Sequence, residues 1–143
     1  MNAKELVTRF IDLAFVKNDI DEASKLIATG YRLHDPSRAG GGSTGVAGWK
    51  EAQRMYLKGL PDRRWTILDQ FQDGDVVITR WAIEATHSGE LPGIPATRRR
   101  IKVEGIVITR VENDQIAEQW QVWDMLGFLE QLGVEAPPLL KAG

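Results

Sequence analysis

The chain has 143 residues, 43% hydrophobic and 27% charged, which is the size and composition of one globular domain. Eighteen basic and twenty acidic residues give a net charge of −2, so no overall positive field attracts nucleic acid or an anionic membrane. The absence of cysteine excludes disulfide bonds, thiol nucleophiles and zinc–thiolate sites. No signal-peptide pattern and no membrane-length apolar run is seen, so we expect a cytoplasmic protein without a nucleic-acid or membrane partner.

The first part of the chain, about residues 2–59, carries the pattern of helices. Apolar residues recur every three or four positions and predict an amphipathic helix over 2–17, capped by Asn2. A second, short helix is predicted to end at Gly30, because glycine favours a helix stop. A third helix is predicted over about 46–58, and the intervening residues 31–48 are predicted to be irregular.

Four later segments, at 63–71, 75–87, 97–111 and 115–123, are rich in Val, Ile, Thr and Trp and predict strands. Short connections make neighbouring strands antiparallel. A last short helix is predicted over about 125–132, capped by Asp124, before a tail at 134–143. Helices followed by strands predict one α+β domain over residues 1–143, in which helices pack on one face of a curved antiparallel sheet of about four strands.

Alternation along the strands predicts which residues face the helices. In the second and third strands the odd positions are the more apolar set, which makes them the inner face. The last strand is ambiguous, because its odd set includes Gln119, Gln121 and Trp123, whereas its even set includes Ile116, Trp120 and Val122. Either the even residues form the core, or they form an apolar outer patch covered by a second subunit while the odd residues line an internal cavity.

Several short motifs occur together in a fixed order. They are HDP at 34–36, LPD at 60–62, THSG at 86–89, GIPAT at 93–97, ITR at 108–110, IAEQW at 116–120 and DMLGFLEQLG at 124–133. Over nearly the whole chain this set resembles the SnoaL-like polyketide cyclase family of the nuclear transport factor 2-like superfamily. The resemblance implies a curved sheet wrapped by helices into a cone, an apolar pocket inside, and commonly a homodimer across the outer sheet face. It favours the cavity assignment of the last strand.

The resemblance also implies a catalytic pair, an Asp on the last strand as general acid and base and a His on the strand before it. The matching positions here are Gln121 and Val107, and neither side chain can transfer a proton. His34 and His87 are then the candidate catalytic acid/base groups, because histidine titrates near neutrality. Gln121 would orient the substrate through hydrogen bonds. The alternative for both histidines is a structural hydrogen bond in a loop.

Trp81, Val107, Gln119 and Trp123 are the candidate substrate-binding residues. A buried glutamine amide costs about 1–3 kcal/mol if unpaired, so Gln119 should bind a neighbour, a water or a ligand. The tryptophans would supply flat apolar walls, or alternatively fill the core. Two histidines without cysteine or helical ligand spacing lead us to expect no metal and no cofactor.

Taken together, these observations predict a protein that binds a small apolar or aromatic ring-bearing molecule in an internal pocket. Its chemistry, where it is an enzyme, would be acid/base chemistry of the cyclase, isomerase or dehydratase type. The alternative is a non-catalytic dimeric domain for ligand binding or protein interaction, suggested by the missing Asp and by the apolar outer patch.

Overall fold

A computed structural model describes residues 1–135 of the chain. The helices are α1 (Ala3–Ile11), continued by a π-helical turn (Asp12–Val16), α2 (Ile20–Ser24), α3 (Gly45–Gly59) and α4 (Met125–Gln131). The strands are β1 (Ile27–His34), β2 (Gly42–Thr44), β3 (Arg64–Asp73), β4 (Val76–Thr86), β5 (Arg100–Glu112) and β6 (Gln115–Trp123). They form one curved, open sheet in the order β2-β1-β6-β5-β4-β3. The predicted α+β class is confirmed, with six strands instead of about four.

The helix ends follow local side-chain chemistry. Asn2 Oδ1 accepts a hydrogen bond from the Glu5 amide at 2.8 Å, and Glu5 Oε2 accepts one from the Asn2 amide at 3.2 Å. This reciprocal pair satisfies two backbone donors at the start of α1 and confirms the predicted cap. At the other end of the chain Asp124 Oδ1 accepts from the Gly127 amide at 2.9 Å, so the predicted cap of α4 is also confirmed.

The two extra strands lie where the sequence predicted helix and irregular chain. Helix α2 ends at Ser24 and not at Gly30, because residues 27–34 pair in parallel with β6, from Ile27 opposite Ile116 to His34 opposite Trp120. Tyr31 and Leu33 on this strand are buried. Long-range pairing with β6 overrides the local helical spacing of the apolar residues.

The last four strands form the predicted antiparallel meander, with one irregularity that explains the ambiguous last strand. The register between β5 and β6 shifts between Arg110 and Val111, so Ala117 is an extra residue on β6. The bulge turns Ile116 into the core, where it is fully buried, while Trp120 and Val122 are 39% and 59% exposed. The outer assignment of Trp120 and Val122 is confirmed, and that of Ile116 is wrong.

Two groups of buried side chains fill the space between the sheet and the helices. One is built on Phe10 of α1, with Tyr31 of β1 and Trp49 of α3, and the other packs Phe128 of α4 against Trp81 of β4. Trp65 is packed against both groups. No helix within residues 1–135 is long and apolar enough to cross a membrane. Most of the predicted tail, from residue 136 onward, lies outside the described residues.

Candidate functional site

An internal cavity of about 110 Å³ lies between the inner face of the sheet and the helices. That volume is several times the roughly 10–15 Å³ that one water molecule needs, so the cavity has room for a small organic group. Its walls are mainly apolar, with nine aromatic residues in addition to aliphatic ones: Phe10, Phe15, Tyr31, Trp49, Tyr56, Trp65, Trp81, Trp123 and Phe128. The sequence-predicted residues Trp81, Val107, Gln119, Gln121 and Trp123 all line it.

A stack of three aromatic rings forms one wall of this cavity. The Phe15 and Trp65 ring centroids lie 4.6 Å apart at 15°, and the Trp65 and Trp81 centroids lie 5.0 Å apart at 18°. Trp81 Nε1 is buried and has no hydrogen-bond partner among the described residues. Gly105 on β5 lies against the same indole, where a Cβ atom would clash with the Trp81 and Trp123 side chains. The stack is a flat apolar surface with one unused N–H donor.

Gln119 is held by two other buried side chains. Tyr31 Oη donates to Gln119 Oε1 at 2.7 Å, and Gln119 Nε2 donates to Thr109 Oγ1 at 3.0 Å. Burial raises the pKa of Tyr31 well above its ordinary value of 10.0, so the phenol remains a neutral donor. The predicted need of a buried glutamine for partners is met within the protein.

Gln121 and Trp123 are positioned by Asp35, whose role the sequence interpretation missed. Asp35 is 1% exposed, and its Oδ1 accepts hydrogen bonds from the Ser37 amide at 2.9 Å and the Ser37 hydroxyl at 2.6 Å. Gln121 Nε2 donates to Asp35 Oδ2 at 3.3 Å, and Arg38 Nε lies 3.4 Å from the same oxygen. Trp123 Nε1 donates to Ser37 Oγ at 2.9 Å.

This arrangement fixes the orientation of the Gln121 amide. A carboxylate only accepts hydrogen bonds, so the amide nitrogen of Gln121 must face Asp35. The amide oxygen is then turned away from Asp35 and available to a hydroxyl or enol of a ligand. Asp35 belongs to the HDP motif, so the sequence did mark this residue. Because the segment around it was predicted to be irregular, nothing in the sequence placed Asp35 beside β6.

Arg63 is a buried charge at the cavity wall. It is 7% exposed and donates to Asn18 Oδ1 at 3.1 Å, Gln53 Oε1 at 3.0 Å and the Ala14 carbonyl at 3.0 Å. Its guanidinium carbon lies 5.1 Å from the centre of the Phe15 ring. Burial lowers the pKa of Arg63 to about 10, so it remains protonated at neutral pH. From the sequence alone, Arg63 and Arg64 are expected to lie at a solvent-exposed sheet edge, and for Arg63 this expectation is wrong.

The structure places His34 away from the cavity. As the last residue of β1 it pairs with Trp120, and its ring stacks on that indole at 5.3 Å and 14° on the outer face of the sheet. Its Nε2 atom lies 2.6 Å from Glu118 Oε2. The structure therefore does not place the candidate catalytic residue His34 at the cavity, because strand alternation turns it to the opposite face.

His87 is fully buried but does not line the cavity either. The Thr97 amide donates to its Nδ1 at 3.2 Å, and Thr97 Oγ1 lies 2.9 Å from the same atom. Backbone bonds to Arg98 and Arg99 tie the same residue to the loop before β5. An accepting Nδ1 places the ring proton on Nε2, which has no partner among the described residues. The geometry matches the structural alternative, a histidine that stabilises a loop.

No group of three His, Asp or Glu side chains within the described residues could hold a metal ion. The residues lining the cavity include neither a carboxylate nor a histidine. The site contains an aromatic wall, a cation at Arg63 and an oriented amide at Gln121. The Asp35 carboxylate lies outside the lining and is hydrogen-bonded to that amide.

Comparisons with known proteins agree with this fold. The family model described as SnoaL-like polyketide cyclase matches residues 5–132. A crystal structure from Acidithiobacillus ferrooxidans, provisionally assigned as a polyketide cyclase, is 34% identical, with 93% of this chain and 95% of that chain covered and a TM-score of 0.81. IdmH from Streptomyces antibioticus, also provisionally assigned as a polyketide cyclase, is 29% identical over 94% of this chain and 100% of that chain, with a TM-score of 0.79.

At lower identity the likeness extends only to the fold. AclR from Streptomyces galilaeus, provisionally assigned as a hydroxylase, is 21% identical, with 92% of this chain and 95% of that chain covered and a TM-score of 0.80. A search of curated proteins found no significant match. The family model spans the sheet, most of α1, the other helices and every cavity residue described above, and the chain belongs to the SnoaL-like polyketide cyclase family.

Proposed function

We propose that this protein binds a small, apolar, ring-bearing molecule in the cavity, with a ring of the ligand against the stacked wall. The observation that carries the proposal is the composition of the cavity, a mainly apolar enclosure rich in aromatic rings, with a few oriented polar groups. Small-molecule sites are commonly built in this way, because apolar walls supply affinity and a few polar groups fix orientation. Gln121 Oε1 is the acceptor for a ligand hydroxyl or enol.

We further propose how acid/base chemistry of the cyclase, isomerase or dehydratase type would arise here. His34 and His87 do not line the cavity, and Gln121 cannot itself take a proton. Asp35 is a carboxylate in contact with Gln121, since its Oδ2 atom accepts a hydrogen bond from the Gln121 amide. For proton transfer the Gln121 amide has to move away from Asp35, so that a substrate hydroxyl takes its place at Oδ2 and Asp35 becomes the proton acceptor. This binding mode is distinct from the one in which Gln121 Oε1 accepts a hydrogen bond from the ligand.

Binding is tested by titrating aromatic polyketides and smaller polycyclic aromatics while following tryptophan fluorescence, since Trp65, Trp81 and Trp123 line the cavity. We expect saturable quenching by at least one member of the panel. Val107→Trp, which fills the cavity from β5, should abolish the response. Ile106→Trp is the matched control, because Ile106 is the neighbouring residue on the outer face and is 42% exposed. No response from any member of the panel would contradict a ligand-binding cavity.

A second proposal concerns the outer face, which we propose is covered by a second copy of the chain. Phe71, Ile78, Ile108 and Trp120 lie opposite one another across β3, β4, β5 and β6. All four are exposed, by 63%, 39%, 36% and 39% respectively. We call these four residues the outer row. An exposed apolar row of this extent is typical of an association surface.

Charges of both signs beside the outer row fit a copy of the same surface. Asp69 and Arg80 form an ion pair on one side of it, and Arg110 and Glu118 form another on the other side. A two-fold axis brings such a patch against itself, so opposite charges can meet. Ile108→Glu should convert the dimer to a monomer in light-scattering measurements, whereas Val16→Glu, at an exposed helical position, should not. A monomeric wild-type protein would contradict the proposal.

A further inference from the structure

Arg63 carries a positive charge at the cavity wall that no carboxylate neutralises among residues 1–135. Its hydrogen bonds go to two side-chain amides and one backbone carbonyl, all of them uncharged. The other arginine of the wall differs, because Arg38 lies 3.4 Å from Asp35 Oδ2. A buried charge is usually paired, since transferring an ion out of water is costly. The missing partner of Arg63 is therefore a feature that needs an explanation.

The chemistry of the guanidinium limits what that partner can be. Three of its five N–H donors are used by Asn18, Gln53 and Ala14. Those acceptors fix the plane of the group, and the Phe15 ring, 5.1 Å from its carbon, covers one side. A rigid planar fork of donors suits a planar anion with two oxygens or a delocalised oxygen charge.

We propose that Arg63 is the specificity-determining residue for an anionic group, and that the ligand is a ring-bearing acid, either a carboxylate or a ring-conjugated enolate. This inference rests on the proposed function, because it requires a small molecule in the cavity. The anionic group lies at Arg63, and the ring lies along the stack that begins at Phe15 and continues through Trp65 to Trp81. The negative charge of the ligand pairs with the Arg63 guanidinium, which has no carboxylate partner among residues 1–135.

A purely structural role for Arg63 makes a different prediction. The residue connects the π-helical turn, through Ala14, to Gln53 of α3, and removing it should lower stability in either case. If stability were its only role, the protein would not distinguish a carboxylate from an uncharged group of the same shape. Discrimination between such ligands therefore separates the two roles.

The test compares 2-naphthoate with 2-naphthamide, which share a ring and differ in charge. Binding of both is measured by calorimetry at pH 7 to the wild-type protein and to Arg63→Gln, Arg63→Lys and Arg64→Gln. We expect wild type to bind the carboxylate at least tenfold more tightly than the amide. Arg63→Gln should lose this preference but still bind the amide, and Arg63→Lys should keep part of it. Arg64→Gln, the adjacent exposed arginine, should behave as wild type.

The outcomes separate the role of Arg63 from the proposal that the cavity binds a ligand. Equal affinity of the wild-type protein for the two probes, or an unchanged preference in Arg63→Gln, overturns the role of Arg63 and leaves the cavity proposal standing. Binding of neither probe, together with no response to the aromatic panel, overturns both. If Arg63→Gln does not fold, the role of Arg63 is judged from two other measurements. These are the preference of the wild-type protein for the carboxylate over the amide and the reduction of that preference in Arg63→Lys, because lysine keeps the charge but not the planar fork.

Discussion

The two faces of the same sheet differ in what their side chains contact. On the inner face Val107 and Gln121 face the cavity, while on the outer face their neighbours Ile106 and Val122 are 42% and 59% exposed. The pairs lie in register on β5 and β6, so one residue separates the two environments. Strand alternation thus lets the proposed ligand-binding surface and the proposed association surface lie on opposite faces of one sheet, so that the residues of one face can differ independently of those of the other.

The largest contrast is expected between two tryptophans, one on each face. Trp81→Ala on the inner face should lower the free energy of unfolding by about 3–5 kcal/mol, because a large buried side chain leaves a void. Trp81 is 5% exposed and Trp120 is 39% exposed. Trp120→Ala should cost the isolated subunit less than about 1 kcal/mol and instead weaken self-association. Urea unfolding and light scattering measure the two effects, and equal losses of stability would contradict the division between the faces.

An intermediate effect is expected at Asp35. Replacing it by Asn turns one of the two accepting oxygens into an N–H₂ donor, either the one that accepts from Ser37 or the one that accepts from Gln121. One donor then faces another, and the loss should be about 1–3 kcal/mol of stability in urea unfolding. The control is Asp124→Asn, where the carboxylate caps α4 and Asn is an equally good cap, so stability should change by only a few tenths of a kcal/mol.

The same substitution also distinguishes positioning from simple packing. If Asp35 orients Gln121 and, through Ser37, Trp123, then Asp35→Asn should reduce the affinity for whichever aromatic ligand quenches the wild-type fluorescence. Unchanged affinity in a folded Asp35→Asn protein would show that the network supports the fold only. Asp124→Asn should leave binding unchanged, because Asp124 does not line the cavity.

Periodicity along the chain predicted the inner face of the sheet well. Trp81, Val107, Gln119, Gln121 and Trp123 were assigned to a cavity from alternation and a family resemblance, and the structure places them at one. Strand β1 was missed, because its pairing partner, β6, lies more than 80 residues away in sequence. Because β1 was not predicted, the positions of two residues of the site region were also missed. The position of β1 puts His34 on the outer face and brings Asp35 into contact with Gln121.

Other site features depend on information that no local pattern contains. The bulge at Ala117 reverses the alternation of β6, so Ile116 is buried although Trp120 and Val122 on the same parity are exposed. Arg63 is followed by another arginine, and composition favours an exposed pair. Only the packing of the π-helical turn and α3 around its guanidinium shows that Arg63 is buried while Arg64 is not.

The smallest expected effect lies on the outer face and depends on pH. The hydrogen bond from His34, followed by that from Arg110, holds the pKa of Glu118 below its ordinary value of 4.5. A carboxyl whose pKa is lowered by folding adds stability above its unfolded pKa, and this stability is lost as the pH falls through the folded pKa. Glu118→Gln should therefore flatten the dependence of the unfolding midpoint on pH below about 4.5, with little change at pH 7 beyond the lost hydrogen bonds.

The effect of Glu118 should be small because the ion pairs of this face are accessible to solvent and are screened by salt. Glu51→Gln, at an exposed position of α3, is the charge-matched control and should give the wild-type profile. If a dimer covers the outer row, the same pair is shielded from solvent in the assembly. The difference between wild type and Glu118→Gln should then grow with protein concentration, and an acid profile independent of concentration would argue against an interface at this face.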